Sequence, residues 1–309
     1  MAELTTTLIH HPYQPPSGFA APQPGVFKAS TVFFPNVAAM RHFDWKDKSA
    51  YTYGLHGTPT TYTLEERLCT LEAEGELAQW GITHRYFDPM DPADLAAKIS
   101  PQTRLVWLEA AGSVTLEFPD LCAQVCLCRA AKVLCALDNT WGAGLAFKPF
   151  DLQPGRLPAL AVDITVHALT KYPSGGGDVL MGSVITTDER LHLQLTLCHM
   201  RLGLGVAAND AEGVLRALPS LLLRYRQHDE TTRALALWCQ QRDEFAQVLH
   251  PALPQSPGHP HWRALCGDSP GAAAGLFSVI FKPDFSQAQV DAFCDGLQLF
   301  KIGYSWGGP

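Results

Sequence analysis

The sequence predicts an α/β fold: a large domain built on a mostly parallel sheet, followed by a small α+β C-terminal domain. Three observations carry this. From residue 100 onward, apolar β-branched runs alternate with helical patterns. The apolar runs show little apolar–polar alternation, which fits strands covered on both faces. The chain has 309 residues and is 47% hydrophobic, enough for one large core and a smaller second one.

Residues 1–50 read as an extended N-terminal arm, because prolines at 12, 15, 16, 22, 24 and 35 forbid a long helix. Such arms commonly wrap a neighbouring subunit; a disordered tail is the plain alternative. A helix is expected after Thr63, over 64–71. Residues 103–109 read as a strand, 119–131 as a helix entered through Pro119, and 133–138, 162–167 and 179–186 as further strands. Residues 188–248 are helix-rich, and the Pro/Gly/His-rich stretch 250–274 reads as a connection. A strand over 276–281, a helix after Ser286 and a last strand near Phe300 complete the chain. The expected domains are the arm, a large domain over 51–235 and a truncated small domain over 236–309. There are no internal repeats.

Composition narrows the function. The charged fraction is 17% and the net charge −7, which suits a compact globular protein and argues against nucleic acid as main partner. No apolar run reaches the length of a membrane span. Met1-Ala-Glu-Leu-Thr-Thr-Thr lacks the basic start and apolar core of a signal peptide, so a cytoplasmic protein is expected, with no membrane partner. Among nine cysteines, Cys122, Cys126 and Cys128 fall in one helical stretch. Cys128 is off the face shared by the other two and no nearby His completes a set, so buried thiols are expected and no metal site.

The chemistry concentrates in Val162-Asp-Ile-Thr-Val-His-Ala-Leu-Thr-Lys-Tyr-Pro-Ser-Gly-Gly-Gly-Asp178. An apolar strand ends in a glycine-rich loop with Lys171 at the turn. Upstream, a second apolar strand ends in Asp138-Asn-Thr. A lysine in a loop is usually a solvated charge, and Asp138 could simply cap its turn. Together, at the carboxyl ends of neighbouring strands, they suit pyridoxal phosphate: the amine forms a Schiff base with its aldehyde and the carboxylate pairs with its ring nitrogen. Burial near a cationic ring would lower the pKa of Lys171, letting it attack a carbonyl and later move protons. Thr170 offers a hydroxyl to the phosphate, or caps the turn. Tyr51-Thr-Tyr-Gly-Leu-His-Gly-Thr-Pro-Thr60 fits a phosphate-contacting loop, and Tyr304-Ser-Trp-Gly-Gly308 is either a turn or part of a substrate pocket. Gly203-Leu-Gly-Val-Ala-Ala208 matches a dinucleotide fingerprint but follows a helical pattern rather than a strand, and is discounted.

Together these segments resemble the Cys/Met-metabolism family of fold-type I pyridoxal-phosphate enzymes. The carrying motifs are Tyr53-Gly-x-x-Gly-Thr, Asp138-Asn-Thr-Trp, Thr170-Lys-Tyr with Gly176-x-Asp178, and Tyr304-Ser-Trp-Gly-Gly. The resemblance covers almost the whole chain and implies a fold-type I, seven-stranded-type large domain. It implies that Lys171 holds the cofactor, Asp138 its ring nitrogen and Thr170 its phosphate. Tyr53 would reach the phosphate of a neighbouring subunit, and Ser305, with Trp306 beside it, would touch the substrate carboxylate. The implied activity is β-elimination of L-cystathionine to homocysteine, pyruvate and ammonia, in methionine biosynthesis. The alternatives are a γ-lyase, γ-synthase or cysteine desulfhydrase, or a non-catalytic oligomeric relative. A small amino-acid substrate and a homodimer or homotetramer are implied by the resemblance only.

The sequence departs from the family in places. Leu55 stands where relatives often carry a phosphate-binding arginine, and Ala168 where a serine is frequent. Near 71–76, a piece the size of a βαβ unit, roughly 30 residues or more, is missing. In the family that piece carries a phosphate loop at a helix N-terminus and a tyrosine that stacks on the ring. The chain also stops before the region where relatives supply an arginine for the substrate carboxylate. Either disordered segments are left out of the chain, which the intact flanking sequence favours, or the protein is truly shortened.

Overall fold

The computed structural model describes residues 31–42, 51, 82–267 and 272–303. The chain divides into two compact units, residues 1–74 with 286–304, and residues 75–285 with 305–309. Helix α1 (Val37–His42) belongs to the smaller unit. In the larger, α2 (Pro92–Lys98) starts at Asp91, whose carboxylate accepts the Ala93 N–H at 2.8 Å. No element was expected over 82–102, although Asp-Pro is a helix-start signal.

The sheet follows. β1 (Leu105–Glu109), β2 (Leu134–Asp138) and β3 (Ile164–Ala168) are parallel neighbours, and β4 (Gly182–Ile185) runs antiparallel beside β3. Helix α3 (Leu121–Ala131) is the β1–β2 crossover. Asp120 caps its start by accepting the Ala123 N–H at 2.9 Å, and Lys132 ends it in the left-handed region at φ 55°. Its Leu121, Val125 and Cys128 lie on the inner sheet face, against Val106, Leu108, Cys135 and Leu137. Asp163 pins the register: it accepts the Cys135 N–H at 2.8 Å and pairs with Arg129 at 2.7 Å.

The outer face differs. Every other residue of β1 points away from α3, and Leu105 and Trp107 are 46% and 52% exposed. The expectation of strands covered on both faces therefore holds for Cys135, Ala136 and Leu137 but fails at β1. No helix lies over these side chains among the described residues.

Beyond the sheet come α4 (Glu189–Arg201), α5 (Ala208–Ala217), a short 3-10 turn at Leu218–Ser220 and α6 (Leu221–Cys239). The end of the helix-rich stretch is a strand, β5 (Phe245–Leu249), antiparallel to β6 (Ser278–Phe281); its aromatic and β-branched residues pack across the pair, with Phe245 and Phe281 at 5.0 Å. Within the expected connection lies α7 (His259–Cys266), where Gly258 at φ 78° turns the chain and Pro260 sits in the first turn, a position that tolerates proline. A Cβ on Gly258 would meet the Phe118 carbonyl oxygen, so that turn requires glycine. In the smaller unit, α8 (Gln287–Asp295) opens with a Ser286/Gln289 capping box. The strand expected near Phe300 reduces to one bridge between Ile302 and Phe34.

Candidate active site

Asp138 and Lys171 come together at the carboxyl ends of β2 and β3. The parallel register sets Asp138 beside Val166, five residues before Lys171. One Asp138 oxygen accepts the Thr140 N–H at 2.9 Å, and Thr140 Oγ1 accepts the Ala168 N–H at 2.8 Å. The turn-capping role is thus real, and it also holds the two strand ends in place. Burial pushes the Lys171 amine below the ordinary lysine range, and the facing Asp138 carboxylate partly counters it. The two side chains therefore share one electrostatic neighbourhood.

The loop that carries Lys171 is tied on every side. Tyr172 is buried and packs edge-on against Tyr225 of α6, with centroids 5.1 Å apart. Its hydroxyl accepts the Gly275 N–H at 2.8 Å, and burial lifts its pKa to about 12. Arg224 donates to the Tyr172 carbonyl at 2.6 Å and covers Gly175, where φ is 72° and a Cβ would lie 2.9 Å from the guanidinium carbon. Ser174 Oγ donates to the Thr170 carbonyl at 2.8 Å. Thr170 itself is buried, and its hydroxyl accepts the Met181 N–H at 3.2 Å. That bond joins the loop to the lead-in of β4.

Two groups escaped the sequence reading. Glu109 ends β1 in register with Asp138, so two carboxylates stand side by side on adjacent strand ends. Although Glu109 is open to solvent on one side, its carboxyl tucks against Ser113 Oγ at 2.7 Å. Desolvation first, with Asp138 contributing, lifts its pKa above the usual carboxylate range. His167, buried on β3, is held below its ordinary pKa by desolvation, with Asp138 opposing. The strand-end logic that singled out Asp138 applies equally to Glu109 and was the signal to follow. Tyr53, Ser305 and Trp306 lie outside the described residues.

A desolvated amine beside a carboxylate, on a loop held rigid from three directions, fits the aldehyde and ring-nitrogen ends of pyridoxal phosphate. The phosphate end has less: Thr170 is engaged with Met181. The parallel strands with their site at the carboxyl ends and this lysine–carboxylate pair define a class of pyridoxal-phosphate-type site. The match to known proteins agrees: residues 73–309 fit the Cys/Met metabolism PLP-dependent enzyme model, and the chain belongs to that family, whose cofactor is pyridoxal phosphate.

The cystathionine beta-lyase MetC of Escherichia coli is 30% identical over 326 positions, covering 91% of this chain and 79% of that protein. The cystathionine beta-lyase of Haemophilus influenzae is 29% identical, covering 99% and 85%. The crystal structure of a cystathionine gamma synthase from Xanthomonas oryzae pv. oryzae, in complex with aminoacrylate and cysteine, superposes with a TM-score of 0.64 at 28% identity. It covers 80% of this chain, which spans 58% of that one. The Haemophilus match runs 352 positions, yet 99% of 309 residues is about 306, so about 46 positions of that protein face no residue here. The family match begins at residue 73, at the junction where the sequence predicts a missing piece.

Proposed function

We propose that this chain eliminates the sulfur substituent from Cβ of L-cystathionine, consuming one water and giving homocysteine, pyruvate and ammonia. The observation that carries the reading is the desolvated Lys171 amine facing Asp138 at neighbouring strand ends. Pyridoxal phosphate, when bound, supplies an aldehyde for the substrate amine and a cationic ring that draws electrons from Cα. Lys171 Nζ, more often neutral than a surface lysine, takes the Cα proton. Asp138 would pair with the ring nitrogen. Thr170, with Tyr53 of a second copy, is assigned to the phosphate, and Ser305 and Trp306 to the substrate carboxylate. The names of the Escherichia coli and Haemophilus relatives support β-chemistry. A cytoplasmic homodimer or homotetramer is part of the same proposal.

The Lys171→Ala variant tests it with cystathionine as substrate. Pyruvate formation should fall by about 1,000-fold or more; undiminished pyruvate contradicts the assignment. A second reading keeps the cofactor and moves the bond to Cγ, which the similarity to a gamma synthase favours. Release of 2-oxobutyrate with cysteine would establish that reading instead. A wild-type protein that neither turns over nor takes up cofactor would be the non-catalytic relative, the outcome favoured by the roughly 46 unmatched positions.

A further inference from the structure

We infer that Glu109 is a positioning residue for Asp138: it gives up a proton as the cationic ring of the cofactor arrives, so that cofactor uptake is linked to pH. This role rests on the pairing of Asp138 with the ring nitrogen proposed above. Glu109 and Asp138 are register partners at the ends of β1 and β2. Parallel neighbours lie about 4.8 Å apart, and residues in register point to the same face of the sheet. Two carboxyl groups therefore stand together at the edge where Lys171 faces Asp138.

Two carboxylates this close repel, and the surroundings of each decide which one keeps a proton. Asp138 is favoured as the anion. One of its oxygens accepts the Thr140 N–H at 2.9 Å, and the Lys171 amine faces it, as does His167. Glu109 accepts from the Ser113 hydroxyl at 2.7 Å, but the described charges that act on it are negative: Asp138 from β2 and Glu117 from its own loop. A Cβ at Gly112 would lie 2.6 Å from Glu117 Oε1, so the Glu117 carboxylate is folded back over the loop that leaves β1. Desolvation first, then these two anions, holds the Glu109 carboxyl above the usual range. Of the pair, Glu109 is the one that carries the proton.

A cation at the ring nitrogen changes that balance. It lowers the cost of a second negative charge at the strand ends, and Glu109 releases its proton to water. The Ser113 hydroxyl can donate to the carboxyl in either form, so the side chain stays in place. The effect is reciprocal: where Glu109 is already ionised, its charge helps hold the cationic ring. Below its pKa Glu109 is neutral and adds nothing to affinity. Its contribution appears as pH rises through that pKa and is lost as pH falls again. A Glu109 that served only as acceptor for Ser113 would act equally at every pH, and glutamine could replace it.

The test follows cofactor affinity against pH and needs no turnover. Pyridoxal phosphate is titrated into the full-length wild type, Glu109→Gln and Glu109→Asp between about pH 5 and pH 8, which brackets a raised carboxyl. Glutamine keeps the acceptor for Ser113 and loses the charge. The wild type should bind about as tightly as Glu109→Gln at the acid end and about 5-fold more tightly at the upper end. Glu109→Asp, which can still ionise, should keep this slope. Calorimetry in buffers of different protonation enthalpy should show more proton released by the wild type than by Glu109→Gln within the window. A wild-type to Glu109→Gln ratio that is the same at every pH, or equal proton release from the two, would overturn the role of Glu109. Borohydride labelling separates the two readings. A wild type labelled on Lys171 but lacking the slope overturns this role alone, whereas one that takes up no cofactor overturns the proposed function with it.

Discussion

The two faces of one sheet behave as different materials. On the inner face Leu108, Cys135 and Leu137 are sealed under α3, while on the outer face Trp107, one residue from Leu108, is half open to water. The strands are the same and their composition is apolar on both sides. What differs is the layer above them, so burial here is set by which helices the chain supplies and not by the strand residues themselves.

That comparison breaks or sharpens under substitution. Leu137→Ala should cost about 3 kcal/mol, from lost transfer and a cavity that cannot collapse. Trp107→Ala, although it removes a larger side chain, should cost less, about 1–2 kcal/mol, because half of that side chain already lies in water. Urea melts of both variants give the ratio, and a Trp107→Ala loss as large as that of Leu137→Ala would show the outer face to be covered within the protomer.

A second test moves to the other sheet. His250, at the end of β5, is completely buried; its backbone N–H donates to Ser256 Oγ at 2.9 Å, and burial drops its pKa to about 3. The unfolded state, with an ordinary value of 6.5, binds a proton between these limits that the folded state refuses. Stability should therefore fall by up to a few kcal/mol as pH drops from about 6.5 toward 3. Melts across that window should show a steeper acid loss for the wild type than for His250→Asn.

Smaller effects follow. Tyr225→Phe removes the 3.2 Å bond from the Tyr225 hydroxyl to the Trp141 carbonyl and should cost about 1 kcal/mol by chemical denaturation. Glu212→Ala breaks only the exposed pair with Arg216 along α5 and should change the same midpoint by less than about 0.5 kcal/mol.

Much of this was legible in the sequence because the signals are local. The apolar runs at 133–138 and 162–167 became β2 and β3 with boundaries shifted by one or two residues. The helix expected after Ser286 became α8. Lys171 and Asp138 were found because each ends an apolar run in a polar turn. What stayed hidden depends on long-range pairing. β5 lies in a stretch whose local composition reads as helix, and only its partner β6 makes it a strand. The proline and histidines of 259–261 concealed α7, whose Trp262 is drawn inward and bonds the Ala272 carbonyl at 3.0 Å. Glu109 reads as an ordinary strand-end charge until the register sets it beside Asp138. The open outer face could not be read at all, since an apolar strand residue looks the same whether or not a helix covers it.

The pairing of an amine with a carboxylate at the β2 and β3 ends is tested most directly without turnover. Pyridoxal phosphate is added to the purified chain, borohydride fixes any amine–aldehyde adduct, and peptide mapping finds the labelled residue. The account predicts a label on Lys171, formed at lower pH in Asp138→Asn than in the wild type, because the carboxylate holds the amine's pKa up. A label spread over surface lysines, with Lys171 unmodified at every pH, would contradict it.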